Sequence, residues 1–278
     1  MTGVPGEPYS IATMNQAQTR ASLRHVVITG ASRGLGAALA LRLAAPGVRL
    51  GLIARGYDAL AATAAACAAR GAVVATAALD VRDAPSLATQ SLAWDALAPI
   101  DGLVANAGIN GGTGPNGEPE GHAAASAQIG VNLLGAVNLI EPLLPALLHR
   151  RHGAIALVGS VAGFRGLPDS PAYSASKAGL WAYGEALRAA HAPAGLQVTV
   201  LAPGFFTSAM SARFLSAHPF ELPVDTVAAR LHRAMLRGEG RVVLPWPIGA
   251  GLRALALLPA PVSDRLVRLF RFRVRPEI

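Results

Sequence analysis

The chain has 278 residues, 52% hydrophobic and 14% charged, so it can bury a large core and is not disordered as a whole. Its single cysteine, Cys67, excludes an internal disulfide and fits a reducing compartment, so we expect a cytoplasmic protein. The formal net charge of +8 invites a nucleic-acid interpretation. The arginines are scattered except near the C-terminus, however, and only 5% of residues are aromatic, which argues against nucleic-acid binding. An anionic, phosphate-bearing ligand or a membrane surface explains the charge better.

Residues 1–24 lack the apolar stretch of a signal peptide, and we expect a loose extension there. No run reaches the roughly 18 uninterrupted apolar residues that a membrane-spanning helix requires. The protein is therefore expected to be soluble, or at most peripheral to the inner face of a membrane.

Short apolar runs alternate with longer segments rich in alanine and leucine. The predicted strands are His25–Thr29, Val48–Ala54, Ala72–Ala78, Gly102–Asn106, Ala154–Gly159, Gln197–Ala202 and Arg241–Leu244. The predicted helices lie near residues 35–45, 57–70, 84–97, 122–150, 172–191 and 225–237. The first five strands are hydrophobic almost throughout, which is typical of strands buried on both faces.

This alternation predicts a single doubly wound, Rossmann-like α/β domain over residues 25–245, with a seven-stranded parallel sheet and helices on both faces. Ligands of such folds bind beyond the C-terminal ends of the strands. The glycine- and proline-rich loop Gly111–Gly121 is predicted to lie over that edge. Residues 246–278 form an apolar and basic C-terminal extension.

The first predicted strand runs directly into a glycine-rich turn and then a helix, the arrangement that binds phosphates through free helix amides. Its glycines allow a tight turn, close approach of a pyrophosphate and close helix packing. The residues are Gly30, Ala31, Ser32, Arg33, Gly34, Leu35 and Gly36.

Lys177 is the only lysine in the chain, which indicates chemistry that a guanidinium cannot perform. Tyr173 lies four residues earlier, one helical turn away on the same face. Ser160 follows an apolar run thirteen residues before the tyrosine. Singly these residues have ordinary structural explanations, but the combination favours catalysis.

Together these motifs resemble the short-chain dehydrogenase/reductase family over about residues 25–245. The resemblance is carried by the glycine loop and, in the family's order, by Asp80-Val81, Asn106-Ala107-Gly108, Asn132, Ser160, Tyr173, Lys177 and Pro203-Gly204. It implies strand order 3-2-1-4-5-6-7 and a homodimer or homotetramer formed through the long helices near 122–150 and 172–191.

The resemblance also implies a nicotinamide cofactor, and the residues favour NADP(H). The second strand ends in Ala54-Arg55, where NAD-binding loops usually carry an acid for the ribose 2′-hydroxyl. Arg55 and Arg33 could instead hold a 2′-phosphate by charge-assisted hydrogen bonds. Asp80 resembles the family's adenine-contacting acid, with a cap before Asp83 as the alternative.

By resemblance, Tyr173 is the general acid/base, and Lys177 activates it and binds the nicotinamide ribose. Nearby positive charge is expected to lower the pKa of Tyr173. Ser160 would bind the substrate oxygen, and Asn132 would hold a water of the proton relay. The family's threonine after Pro203-Gly204 corresponds to Ser208 or to its neighbour Thr207, both of which remain candidates.

The substrate is expected to be a small lipophilic ketone, aldehyde or secondary alcohol. The predicted apolar lining consists of Phe164, Leu167, Pro168, Phe205, Phe206, Met210 and Phe214. Arg165 and Arg213 are the candidates for binding a carboxylate. The C-terminal extension is either an interfacial membrane segment or a helical cover over the cleft or a subunit interface. The non-helical alternation over 270–275 counts against the membrane alternative.

The sequence therefore predicts an NADP(H)-dependent carbonyl reductase or alcohol dehydrogenase. The alternatives are an NADP(H)-binding regulatory or scaffold protein without turnover and a membrane-bound lipid-carbonyl reductase.

Overall fold

The computed structural model describes residues 23–114, 116–215, 218–269 and 273–274. Seven strands form one parallel sheet in the order β3-β2-β1-β4-β5-β6-β7, as the resemblance implied. The strands are β1 His25–Thr29, β2 Arg49–Ala54, β3 Val73–Ala78, β4 Gly102–Ala105, β5 Gly153–Val158, β6 Leu196–Pro203 and β7 Arg241–Leu244. The single Rossmann-like domain with helices on both faces is confirmed.

Ten α-helices lie within the described residues. They are α1 Gly34–Leu43, α2 Tyr57–Ala68, α3 Ala84–Leu97, α4 Gly121–Ile129, α5 Gly135–Ile140, α6 Leu144–Arg150, α7 Pro171–His191, α8 Val224–Arg237, α9 Trp246–Ala256 and α10 Ala260–Val267. One π-helical turn, Gly130–Leu134, joins α4 to α5.

Strand alternation divides the core into two layers. Val26 and Ile28 of β1 face one layer, which contains the apolar sides of α1 and α8. Val27 faces the other, which contains those of α3, α5 and α7. Burial on both faces fixes the central strands and thus the positions of their C-terminal ends.

Strand β3 differs from the prediction of full burial. It is the edge strand, and Ala77 is its only buried residue. Apolar content alone could not distinguish an edge strand rich in alanine from a central one.

The predicted N-terminal boundary also shifts. Residues 1–22 lie outside the described residues, but Leu23 is buried in the core. The Arg24 amide donates to both carboxylate oxygens of Asp101 at 3.0 and 2.8 Å. Leu23 and Arg24, which the sequence analysis assigned to the extension, therefore pack with the domain.

The predicted helix over 122–150 is divided into α4, the π turn, α5 and α6. The break before α6 follows from Pro142 and Pro145, which have no backbone N–H to donate. Among the described residues, Gly121–Ile140 is the one helical stretch that passes a length and composition test for a membrane span. The side-chain nitrogen of Asn138 nevertheless donates to the Val81 backbone carbonyl at 2.9 Å, as expected of a helix packed in a protein core.

The loop over 111–120 packs against the far end of the chain rather than lining the ligand cavity. The Thr113 amide donates to the Asp169 carbonyl at 2.8 Å. A side chain at Gly112 would lie 2.8 Å from Val274, which forms an isolated antiparallel bridge with Phe214. The two described C-terminal residues thus lie between this loop and the segment after β6.

Candidate active site

A cavity of about 1260 Å³ opens at the C-terminal edge of the sheet. It is larger than the ~300–1,000 Å³ of an ordinary small-molecule pocket, so it has room for two ligands side by side. Most of the predicted site residues line it, namely Gly30, Ser32, Arg33, Gly34, Leu35, Arg55, Asp80, Val81, Asn106, Ala107, Gly108, Ser160, Tyr173, Lys177, Pro203, Gly204, Thr207 and Ser208. Gly36 and Asn132 lie behind the lining.

The glycine loop is held by the neighbouring strand end. The side-chain nitrogen of Asn106 donates to the backbone carbonyls of Thr29 and Gly30 at 2.9 and 3.1 Å. A Cβ at Gly36 would lie 2.3 Å from the Gly30 carbonyl oxygen, so the helix can approach only without a side chain there. Gly34 has φ of +57° and open space where a Cβ would point. Its absent side chain leaves the amide end of α1 accessible.

The N-terminus of α1 has neither an acidic residue in its first turn nor a side-chain cap. Its free amides and positive dipole end therefore face the cavity without a negative partner from the helix itself. Within the described part of the chain, the side chains of Arg33 and Arg55 form no hydrogen bond or ion pair. The electrostatics of this end fit a ligand with several phosphate charges.

Asp80 is bound by its neighbour Arg82, which the sequence interpretation missed. Arg82 donates to the Asp80 carboxylate from its backbone, Nε and a terminal nitrogen at 2.7–3.1 Å. These bonds lower the pKa of Asp80 and keep it ionised. The cap of α3 is Asp83, which accepts from the Ser86 amide, whereas Asp80 caps the preceding turn through the Arg82 amide. The turn-cap alternative for Asp80 therefore holds, and its carboxylate also borders the cavity.

Tyr173 and Lys177 lie one turn apart on α7, and Ser160 lies at the end of β5. The Ser160 hydroxyl accepts from the Ala162 amide at 3.1 Å and lies near enough to the Tyr173 side chain to lower the pKa of its phenol. The Lys177 ammonium donates to the Val158 carbonyl at 2.8 Å and lies 5.7 Å from the centre of the Tyr173 ring. Two hydroxyls and one ammonium thus share one end of the cavity.

Burial determines the protonation of these groups. It raises the pKa of Tyr173, and only the neighbouring Ser160 side chain opposes the rise. Burial lowers the pKa of Lys177 to about 8. The sequence interpretation expected a lowered pKa for Tyr173. In the protein without ligand the opposite holds, because desolvation is the larger effect and the ammonium points to Val158.

Asn132 lies in the π turn, a helix irregularity that often marks a functional position. Its side-chain oxygen accepts from the Ile109 amide at 2.8 Å. Its side-chain nitrogen donates to the Ile109 carbonyl and to the Ser176 hydroxyl, both at 2.9 Å. Ser176, which the sequence interpretation missed, also donates to the Tyr173 carbonyl at 2.7 Å. Asn132 therefore positions the helix that carries Tyr173.

A second missed residue positions the start of the same helix. One Glu120 carboxylate oxygen accepts from the Ala172 amide at 3.0 Å in the first turn of α7. An acid at a helix N-terminus stabilises the helix dipole. No local motif indicates this contact, because Glu120 lies about fifty residues earlier in the chain.

The two hydroxyl candidates after Pro203-Gly204 are now distinguishable. The Ser208 hydroxyl accepts from the Ser211 amide at 3.0 Å and donates to the Ser211 hydroxyl at 3.2 Å. The Thr207 hydroxyl forms no hydrogen bond with any described residue and lines the cavity. Thr207 is thus the better placed to bind a ligand.

Part of the predicted substrate lining lies elsewhere. Phe164, Arg165 and Pro168 border a smaller pocket. Arg165 pairs with Asp264 and donates to Ser263 at 2.8 Å, so it is not placed to receive a substrate carboxylate in the main cavity. The predicted residues that do line the main cavity are Leu167, Phe205, Phe206, Met210, Arg213 and Phe214.

The fold and this site together define a nucleotide-dependent α/β enzyme. The family model described as short chain dehydrogenase matches residues 24–218. The chain therefore belongs to the short-chain dehydrogenase/reductase family, and it is an oxidoreductase.

Its relatives include an uncharacterized oxidoreductase of Myxococcus xanthus, 36% identical over 251 residues that cover 90% of this chain and 98% of that protein. Ketoacyl reductase HetN of a Nostoc species is 37% identical over 257 residues, which cover 88% of each chain. A short-chain dehydrogenase from Sphingobium yanoikuyae in complex with NADPH is similar in structure, with a TM-score of 0.74 and 26% identity. That similarity covers 90% of this chain and 97% of the other. Other proteins of this fold carry NAD.

Proposed function

We propose that this protein is an NADP(H)-dependent carbonyl reductase or alcohol dehydrogenase acting on an apolar ketone, aldehyde or secondary alcohol. The observation that carries the proposal is that the Ser160 and Tyr173 side chains and Lys177 share the cavity that the glycine loop also lines. A nicotinamide cofactor bound there would supply the hydride.

The protein's own residues supply the remaining steps of a reduction. Ser160 donates a hydrogen bond to the carbonyl oxygen and polarises it. Tyr173 gives its phenolic proton to the oxygen as negative charge develops there. Because burial raises the pKa of Tyr173, the phenol holds that proton at neutral pH. The Lys177 ammonium then stabilises the phenolate.

We assign Asn132 two roles: it positions the helix that carries Tyr173, and it helps to return a proton to Tyr173 after the reaction. A Cβ on Gly108 would lie 3.4 Å from the Asn132 side-chain oxygen and 3.5 Å from the Lys177 nitrogen. A water at that point would contact both polar atoms. Glycine at position 108 leaves room for it.

The choice of NADP(H) rests on Arg33 and Arg55. The cofactor's 2′-phosphate would lie between these two cations, with the pyrophosphate at the amides of Gly34 and Leu35. Asp80 and Val81 would border the adenine. Asn106, Ala107 and Gly108 would border the adenine ribose and the centre of the cofactor. The nicotinamide end would lie against Pro203, Gly204 and Thr207.

Replacing Arg55 with alanine should weaken NADPH binding about 10–100-fold, as expected for loss of a charge-assisted hydrogen bond of ~1.5–3 kcal/mol. NADH binding should change less than threefold. Fluorescence titration of both cofactors against wild type, Arg33→Ala and Arg55→Ala measures this. Equal losses for NADPH and NADH would assign the arginines a role outside phosphate recognition, and wild-type preference for NADH would reject the NADP(H) assignment.

The C-terminal helices suggest peripheral contact with an anionic bilayer. Leu257 is 87% exposed and Leu269 is 76% exposed. Arg265 and Arg268 lie on the same helical pair, while the Asp264 carboxylate is paired with Arg165. The sequence-predicted alternation over 270–275 lies almost entirely outside the described residues. Co-sedimentation with phosphatidylglycerol vesicles should therefore exceed that with phosphatidylcholine, and should fall for Leu257→Glu. Equal recovery with both lipids would reject the contact.

We retain cytoplasmic location and a homodimer or homotetramer through α4–α6 and α7 as further proposals. Light scattering on the purified protein tests the oligomer directly, and a monomeric mass would reject it.

The reductase proposal is tested by following NADPH oxidation with aliphatic, aromatic and acyl carbonyls. Turnover that Tyr173→Phe abolishes would support it. Tight NADPH binding with no turnover across the panel would favour the second candidate, a cofactor-binding regulatory or scaffold protein. The intact Ser160–Tyr173–Lys177 arrangement favours the enzyme.

A further inference from the structure

The C-terminal helices α9 and α10 form part of the wall of the active-site cavity. They follow the region that the family model matches, which ends at residue 218. Their contribution to the lining is entirely apolar and consists of Pro247, Ile248, Gly251, Leu252, Leu255 and Leu266, followed by Leu269. The substrate half of the site is thus bounded by residues outside the matched region.

This helical pair is fixed to the domain next to the catalytic serine. Arg165, five residues after Ser160, pairs with Asp264 and donates to Ser263. The Ser263 hydroxyl in turn donates to the Leu255 carbonyl at 2.7 Å, which joins α10 to α9. The wall therefore has a defined position relative to the reacting atoms.

A second set of contacts fixes α9. The Arg253 guanidinium stacks 3.8 Å from the centre of the Phe164 ring and 5.0 Å from that of Trp181. Gly249 lies so close to β7 that a Cβ would meet Val243 at 2.2 Å. Phe164 and Arg165 thus hold α9 and α10 in place, and the residues of these two helices that line the cavity are apolar.

We propose that α9 and α10 bind an unbranched hydrocarbon chain and select substrates by its length. This inference rests on the proposed reductase function for the position of the carbonyl at Ser160 and Tyr173. The chain would run along Leu252 and Leu255 of α9 through the cavity, whose lining also includes Phe205, Phe206 and Phe214. The cavity then reaches the surface at Phe220, which is 69% exposed, and Leu269, which is 76% exposed.

For wild type, kcat/KM for 2-alkanones should rise about fourfold for each methylene that the wall buries, and level off once the chain reaches the mouth. Short ketones such as 2-butanone would use only the catalytic end. A lining of shape-matched aliphatic groups gives this graded preference without any polar contact to the chain.

Gly251 offers a direct test, because it lines the cavity and a Cβ there would meet no protein atom within 4 Å. Gly251→Leu should narrow the chain site without disturbing the fold. We expect kcat/KM for 2-undecanone to fall at least tenfold and that for 2-butanone to stay within twofold. Ala254→Leu is the matched control, since Ala254 lies exposed on the same helix and outside the lining. An unchanged chain-length profile in Gly251→Leu would overturn the inference.

A binding assay separates failure of this inference from failure of the reductase function. The neutral fluorophore N-phenyl-1-naphthylamine is bound to the protein and displaced by 1-alkanols of six to twelve carbons, with no turnover required. Length-dependent displacement that Gly251→Leu weakens would support the chain site even if no ketone is reduced. Displacement that is independent of length, or the same in both proteins, would reject it whatever the turnover assay shows.

Discussion

Replacing Tyr173 with phenylalanine should lower kcat for carbonyl reduction about 10³–10⁴-fold, toward the upper end of what a positioned general acid contributes. In the described lining, the Tyr173 phenol lies beside the Ser160 side chain and 5.7 Å (ring centre) from the Lys177 ammonium. Removing its oxygen eliminates the proton donor while keeping the ring that fills the space. NADPH affinity should therefore stay within about twofold.

Stopped-flow measurement of NADPH oxidation gives the chemical step, and fluorescence titration gives cofactor affinity. Ser160→Ala is the informative companion, because loss of a polarising hydrogen bond typically costs about 10²–10³-fold. The double variant should be little slower than Tyr173→Phe alone if the two hydroxyls act as a unit. Residual activity above a tenth of wild type in Tyr173→Phe would place the acid elsewhere.

The local parts of this site could be predicted from sequence because they depend on short-range chemistry. The glycine turn at Gly30 and Gly34 follows a strand directly and opens a helix, and helical spacing alone brings Tyr173 and Lys177 to one face. Strand order followed from the resemblance. The glycine turn and the Tyr173–Lys177 pair are fixed by residues within one element or one turn, whereas the long-range strand order was available only through the family resemblance.

Features that depend on packing between distant segments could not be predicted in this way. The position of Arg165 after Ser160 predicted that it could bind a substrate carboxylate. Its actual partner is Asp264, which lies 99 residues later in the chain. The spacing of Tyr173 and Lys177 indicated their proximity, yet the direction of the Tyr173 pKa shift depends on burial by the whole fold. The bonds from Asn132 to Ile109 and Ser176 likewise required the π turn, for which the sequence shows no signal.

Replacing Lys177 should lower activity strongly without destabilising the protein at pH 7. Burial lowers its pKa to about 8, which corresponds to a cost to folding of about 3 kcal/mol at neutral pH. Lys177→Met removes that cost but leaves the Val158 carbonyl without its donor, a loss of about 1–3 kcal/mol. The Met variant should therefore be as stable as wild type or up to about 2 kcal/mol more stable at pH 7, while kcat falls about 10²–10³-fold.

The pH dependence of unfolding distinguishes this account from simple loss of packing. Between about pH 8 and the unfolded-state pKa of 10.5, the unfolded wild-type chain holds a proton that the folded chain has released. Stability rises with pH wherever the unfolded state binds more protons, so wild type should gain about 3 kcal/mol relative to Lys177→Met across that window. Urea unfolding of the cofactor-free proteins at pH 7, 8, 9 and 10.5 measures the difference, in which titrations common to both proteins cancel. Lys177→Arg, which stays charged throughout, should show no such gain and should be less stable than wild type above pH 8. A wild-type advantage over Lys177→Met that does not change with pH would mean that the lysine carries no burial penalty, and that its role is confined to packing and to the bond with Val158.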